Sequence, residues 1–175
     1  MRARGRTWDP DTAVEQLYAA HWRQLVRLSV LLVHDQAVAE EVVQDSFVAL
    51  HGRWSRLAEP EKALAYLRQT VVNRSRSVLR RRGTELRYLH RLPHAEEAGT
   101  AESAEGHERR LVVLDALRRL PTRQREVVAL RYYLDLSEAD IAATLGISRG
   151  AVKSHGSRGL AALGQTLGHL MKDAS

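Results

Sequence analysis

Apolar residues recur along the chain at the three- and four-residue spacing of amphipathic helices, and no segment sustains the apolar–polar alternation of a strand. The series Val14, Leu17, Tyr18, His21, Leu25, Leu28 and Leu32 keeps one helical face to about Val33. Ahead of it stand Asp9-Pro10 and the capping-box pattern Thr12-Ala-Val-Glu15, which predict a helix start nearby. A second helix, about residues 36–54, sets Val43, Phe47, Leu50 and Trp54 inward. Its other side gathers Glu41, Gln44, Asp45 and Val48, an acidic face with one apolar member. A third helix runs from about Pro60 to Arg82, with Leu64, Leu67, Val71 and Val78 inward and Arg68, Arg74, Arg76 and Arg80 to Arg82 outward.

From Gly83 to about His107 the periodicity lapses into Glu, Ala and Gly, as in a linker. It resumes with Leu111, Leu114 and Leu117, stops at Pro121 and restarts with Val127, Val128 and Leu130. Ser137-Glu-Ala-Asp140 predicts a helix start, Gly146 a helix end, and Ser148 the cap of a last helix. The pattern predicts an all-α protein of two small helical domains. Residues 1–83 form a three-helix-type bundle, 84–108 a flexible acidic linker, and 109–175 a domain built on a helix-turn-helix.

Charge sharpens this picture. Residues 1–82 carry 14 Lys+Arg against 9 Asp+Glu, residues 83–107 carry 2 against 5, and residues 108–175 carry 11 against 7. Two basic blocks flanking an acidic joint point to a polyanionic partner, most often nucleic acid. With no cysteine, disulfides and thiolate metal sites are excluded. No apolar run approaches the roughly 20 residues of a membrane span, and none follows the basic N-terminus closely enough to make a signal peptide, so a soluble cytoplasmic protein is expected.

Catalytic signatures are missing: there is no phosphate loop, HExxH, GxGxxG or nucleophile elbow. His90 and His94 have Pro93 between them and no further ligands nearby, and His21 and His51 fit helix packing better than catalysis. No enzyme activity, metal or cofactor is expected.

The C-terminal half is more specific. A capped helix, a short turn with glycine and a second capped helix make a helix-turn-helix, whose second helix enters the major groove. The string ALRRLPTRQREVVALRYYLDLSEADIAATLGISRGAVKS resembles the promoter-reading domain of bacterial sigma factors. On its own it also fits LuxR-type regulators, and a helical adaptor that never touches DNA is a further reading. The N-terminal half discriminates. AEEVVQDSFVALHGRW, residues 39–54, resembles the segment by which sigma factors grip the coiled coil of the polymerase β′ subunit. AYLRQTVVNRSRSVLRRR, residues 65–82, resembles the helix that engages the minus-ten element. Their order, with a linker between, is similar to the layout of extracytoplasmic-function sigma factors.

The resemblance implies a partner for each face. Glu41, Gln44, Asp45 and Val48 would meet core RNA polymerase at the β′ coiled coil, and the β flap is a second contact on the polymerase that the resemblance implies. Arg56, Glu59, Tyr66, Arg68, Asn73, Arg76 and Arg80 would meet the minus-ten strand, the loop Ser55 to Pro60 lying where the family cradles a flipped base. Arg149, Lys153, Ser154, His155, Ser157 and Arg158 would face the minus-thirty-five duplex. An anti-sigma factor covering the same faces is a further partner that the resemblance implies. Glu96, Glu97, Glu102 and Glu105 of the linker would occupy a basic channel in the polymerase.

This sequence departs from the family pattern at Tyr66, where tryptophan is usual, at Ala39, and at His155, Gly156 and Gly159 of the reading helix. A helical wheel centred on Val152 sets Gly156, Gly159, Leu160 and Leu163 on the buried side. The two interior glycines are therefore expected to be close-packing positions rather than weak points, with Gly150 in the exposed first turn.

Overall fold

The computed structural model describes residues 9–57, 59–88 and 104–173, and among them no strand occurs. Helix α1 spans Pro10–Val33. Its cap is Asp9 rather than Thr12: the Asp9 carboxylate accepts from Thr12 N at 3.1 Å and Thr12 Oγ1 at 2.9 Å, and Pro10 opens the helix where its missing N–H costs nothing. The helix ends at His34, a non-glycine residue in the left-handed region with φ 59°. Asp35 follows and caps α2 (Gln36–Arg53) through Val38 N at 3.0 Å.

A 3₁₀ turn at Trp54–Arg56 and another at Pro60–Lys62 lead into α3, Ala63–Tyr88. The helix thus runs past Gly83 into the predicted linker. One glycine among good helix formers costs about 1 kcal/mol, too little to stop a helix anchored further back by tertiary packing. Helix α4, Ala104–Arg119, likewise starts before the apolar spacing resumes. Residues 89–103, with His90, His94, Glu96, Glu97 and Glu102, lie outside the described residues, as does the side chain of Glu105.

In the N-terminal half α1, α2 and α3 enclose Leu25, Leu28, Leu32, Val43, Leu50, Leu67, Val71 and Val72, with the Ser29 and Ser75 hydroxyls paired at 3.2 Å inside. Each such aliphatic side chain stabilises the fold by roughly 1.5–3 kcal/mol. Tyr18, placed on the apolar face by its spacing, is instead 44% exposed and stacks on Trp22. A tyrosine ring can cover a neighbouring ring while its hydroxyl stays in water.

In the C-terminal half α5 (Thr122–Val128) continues as one π-helical turn, Ala129–Tyr133, before α6 (Glu138–Leu145) and α7 (Arg149–Asp173). The expected caps are present. Ser137 Oγ accepts from Asp140 N at 3.1 Å, Gly146 takes φ 64°, and Ser148 Oγ accepts from Ala151 N at 3.1 Å. Val127, Leu130, Ile141, Leu145 and Val152 fill the space between these helices.

The two helical domains pack on one another. Their buried residues join in one continuous cluster, and Tyr133 Oη donates to Gln24 O at 3.3 Å across the seam.

Candidate polymerase and nucleic-acid interfaces

Glu41, Gln44, Asp45 and Val48 are all exposed on one side of α2, with Val42, Val43, Ser46 and Phe47 buried beneath them. Val48 is 66% exposed, an apolar side chain one turn along the helix from Gln44 and Asp45. Asp45 also accepts from Arg74 Nη1 at 3.2 Å, so this face and α3 are linked by a surface ion pair. Such a pair contributes about 1 kcal/mol or less and yields easily to a stronger partner.

The loop candidates sit together between α2 and α3. Arg56 is exposed at the end of its 3₁₀ turn, and Glu59 is exposed and paired with Lys62 Nζ at 2.9 Å. Tyr66 is half-buried under the Arg53 guanidinium, whose carbon lies 5.8 Å from the ring centre.

Along α3 the expectation of a uniformly outward basic face needs correction. Asn73, Arg80 and Arg81 are exposed, and Arg82 turns back to donate to Asp35 Oδ2 at 3.0 Å. Arg68 and Arg76 are half-covered by the C-terminal half. Burial lowers the pKa of Arg68, against the attraction of Asp140 on α6, and its Nε has no partner among the described residues. Arg76 holds Glu126 of α5 in a two-pronged pair, Nε to Oε1 and Nη2 to Oε2, both at 2.9 Å. Periodicity within α3 cannot foresee a second domain lying on it.

Glu126 is a functional candidate that sequence motifs alone do not reveal. It is 2% exposed and also accepts from Arg123 Nη1 at 3.2 Å. The available signal is a carboxylate inside the buried run Arg125 to Leu130, because a buried charge calls for a partner.

Helix α7, the expected reading helix, exposes Arg149, Lys153, Ser157 and Arg158, with Ser154 and His155 half-buried at the edges. Glu138 on α6 organises part of this surface, a second role that the motifs do not reveal. It accepts from Arg131 Nη2 at 2.8 Å, with Lys153 Nζ at 3.8 Å and Arg149 Nη2 at 4.0 Å from its other oxygen. The hydrogen bond from Arg131 holds its carboxyl below the usual range, aided by the Lys153 and Arg149 charges. The two interior glycines face inward as expected, but Leu160 does not and is 49% exposed.

Comparison with known proteins matches both halves. Residues 17–85 fit the family model for sigma-70 region 2, and residues 110–163 fit the model for sigma-70 region 4. The RNA polymerase sigma-E factor of Streptomyces avermitilis is 36% identical over 82% of this chain and 78% of its own. The ECF RNA polymerase sigma factor SigM of Mycobacterium tuberculosis is 32% identical over 90% of this chain and 79% of its own. Among solved structures, the sigma factor RpoE crystallised with the anti-sigma factor NepR, from Bartonella quintana, aligns with a TM-score of 0.71 at 24% identity, covering 87% of this chain and 95% of that one.

Proposed function

This chain belongs to the extracytoplasmic-function group of the sigma-70 family, and from that premise we propose which of its faces meets which partner. As a member it binds core RNA polymerase and directs it to specific promoters.

The exposed α2 face of Glu41, Gln44, Asp45 and Val48 docks on the β′ coiled coil. Its acidic rim is complementary to a basic helix pair, and Val48 supplies the desolvated centre on which affinity concentrates. The C-terminal half carries the β-flap contact. Arg149, Lys153, Ser157 and Arg158 enter the minus-thirty-five major groove, with Ser154 and His155 at its edge. Arginine and lysine there contact guanine edges or phosphates, and serine contacts either kind of base pair.

At the minus-ten element, each unstacked base costs a few kcal/mol unless captured. Arg56 and Glu59 of the loop, with Tyr66 in the first turn of α3, capture the flipped base, Asn73 supplies a donor and acceptor for a base edge, and Arg68, Arg76 and Arg80 hold the strand's phosphates. The chain contributes binding alone, in the cytoplasm, and the chemistry of RNA synthesis belongs to the polymerase. An anti-sigma partner like that of the Bartonella quintana protein would cover these same faces.

The observation that carries this reading is the exposed cationic side of α7 on a capped helix-turn-helix, in a chain whose other half carries region 2. That second region excludes a LuxR-type regulator and a plain adaptor. Photocrosslinking tests the assignments. A crosslinking residue at Asn73 should label the melted minus-ten strand in the open complex, and one at Arg158 the minus-thirty-five duplex. Labelling of neither strand by Asn73 would refute the α3 assignment.

A further inference from the structure

A cavity of about 860 Å³ opens between α1, the start of α2, α4 and the π-helical turn, and none of its lining residues is among those assigned to polymerase or DNA. Its volume is that of a small-molecule site, and so is its composition, apolar surface interrupted by charged groups. Val26, Val30 and Leu114 give it aliphatic surface, and Trp22 and Tyr133 give it rings. Trp22 is held by stacking on Tyr18, with ring centres 4.6 Å apart. Tyr133 is held by its bond to Gln24 O and by a side-chain hydrogen bond with Arg27. Four guanidinium groups share the lining, Arg23 and Arg27 from α1 and Arg109 and Arg110 from α4. Among the described residues the lining holds one carboxylate, Glu40, which accepts from Gln36 Nε2 at 2.6 Å. Cations therefore outnumber anions there by four to one.

This combination selects a class of ligand. An inorganic anion would satisfy the arginines and leave the rings and aliphatic surface in water. A neutral apolar molecule would cover that surface but strip water from the guanidinium groups without replacing it. A guanidinium presents parallel N–H donors that match phosphate oxygens in pairs, and several of them suit a group with more than one negative charge. We propose that the cavity is a binding site for a small organic phosphate. Its phosphate groups meet Arg23, Arg27, Arg109 and Arg110, and its apolar or aromatic body lies on Val26, Val30, Trp22 and Tyr133. Nucleotides and alkyl phosphates share this chemistry and differ in the body.

Calorimetry on the full chain tests this with three probes, adenosine triphosphate, dodecyl phosphate and inorganic pyrophosphate. Adenosine triphosphate or dodecyl phosphate should bind at one site about tenfold or more tightly than pyrophosphate, and the probe that binds tells a ring-bearing body from an alkyl one. Val113 lines the cavity and is 43% exposed, so Val113→Trp can fill the space without disturbing the core and should abolish binding. Leu111→Trp, on the same helix but outside the lining, should leave binding as it was. Combined Arg23→Ala and Arg27→Ala changes, both at exposed positions, should weaken binding about tenfold or more. Organic probes that bind no more tightly than pyrophosphate overturn the proposal, as does binding that survives either change to the lining. The arginine change decides the matter even where Val113→Trp does not fold. Binding of a single-stranded oligonucleotide that Val113→Trp abolishes, with neither organic probe bound, would overturn the proposal in favour of a nucleic-acid groove.

Discussion

Gly159 and Val128 meet so closely that a Cβ on the glycine would stand 2.9 Å from Val128 Cγ2, with Gln124 Cβ and O each 3.3 Å away. The reading helix therefore lies directly against α5, and the missing side chain makes that approach possible.

Two glycines of α7 should thus respond oppositely to the same substitution. A Cβ on Gly164 would have nothing within 4 Å, so Gly164→Ala should stabilise the fold by about 0.5–1 kcal/mol through helix propensity. Gly159→Ala gains the same propensity but forces α5 and α7 apart, at a cost of about 1–3 kcal/mol, and should come out net destabilising. Urea unfolding of the two variants checks the signs.

Gly156 is buried with Val127 Cγ1 and Arg131 Nη1 at 3.4 Å from an added Cβ, whereas Arg158 is exposed. Gly156→Leu should lower stability by about 1–3 kcal/mol before it changes promoter choice. Arg158→Ala should leave stability within about 0.5 kcal/mol and weaken promoter binding. Melting curves alongside promoter-binding titrations separate the two, and the opposite pattern would mean that α7 is rotated from the orientation described.

Glu138 keeps a negative charge among Arg131, Lys153 and Arg149 at the edge of the reading surface. Neutralising it in Glu138→Gln should raise affinity for non-specific duplex DNA several-fold and blunt discrimination between promoters, with the gain shrinking as salt rises. Anisotropy titrations at two salt concentrations read both effects.

His34 is half-buried at the end of α1, with both ring nitrogens shut off from water and neither partnered among the described residues, and this desolvation together with the charges of Arg125 and Arg118 pushes its pKa down to about 4. The folded chain therefore refuses a proton that the unfolded chain accepts below about pH 6.5. Stability should fall as pH drops from about 6.5 toward 4, by at most about 2 kcal/mol between pH 7.5 and 5 from this residue. His34→Asn keeps a residue that tolerates the left-handed backbone and should remove this part of the pH dependence. Urea unfolding of both chains at the two pH values is the check.

Much of this was legible in the sequence because it depends on local chemistry. Ser137, Gly146 and Ser148 set the helix-turn-helix through contacts within one turn of themselves. The face of Glu41, Gln44, Asp45 and Val48 follows from helical spacing alone, as does the inward turn of Gly156 and Gly159. Leu160 sits about 80° from Val152 on the wheel, at the edge of the stripe that α5 can cover, and so remains in water. The closure of the halves was not legible, because it depends on residues distant in sequence. Arg76 and Glu126 carry no local mark of each other, and nothing at His34 announces a left-handed backbone in the way glycine or asparagine would.

The most direct test of the account as a whole is transcription reconstituted from core RNA polymerase, this chain and a promoter library. The chain should bring initiation at a defined set of promoters sharing minus-thirty-five and minus-ten elements, and combined Glu41→Ala, Asp45→Ala and Val48→Ala changes should abolish it without loss of folding. Sequence-specific duplex binding by the chain alone, with no promoter-specific transcripts when core is added, would contradict the account.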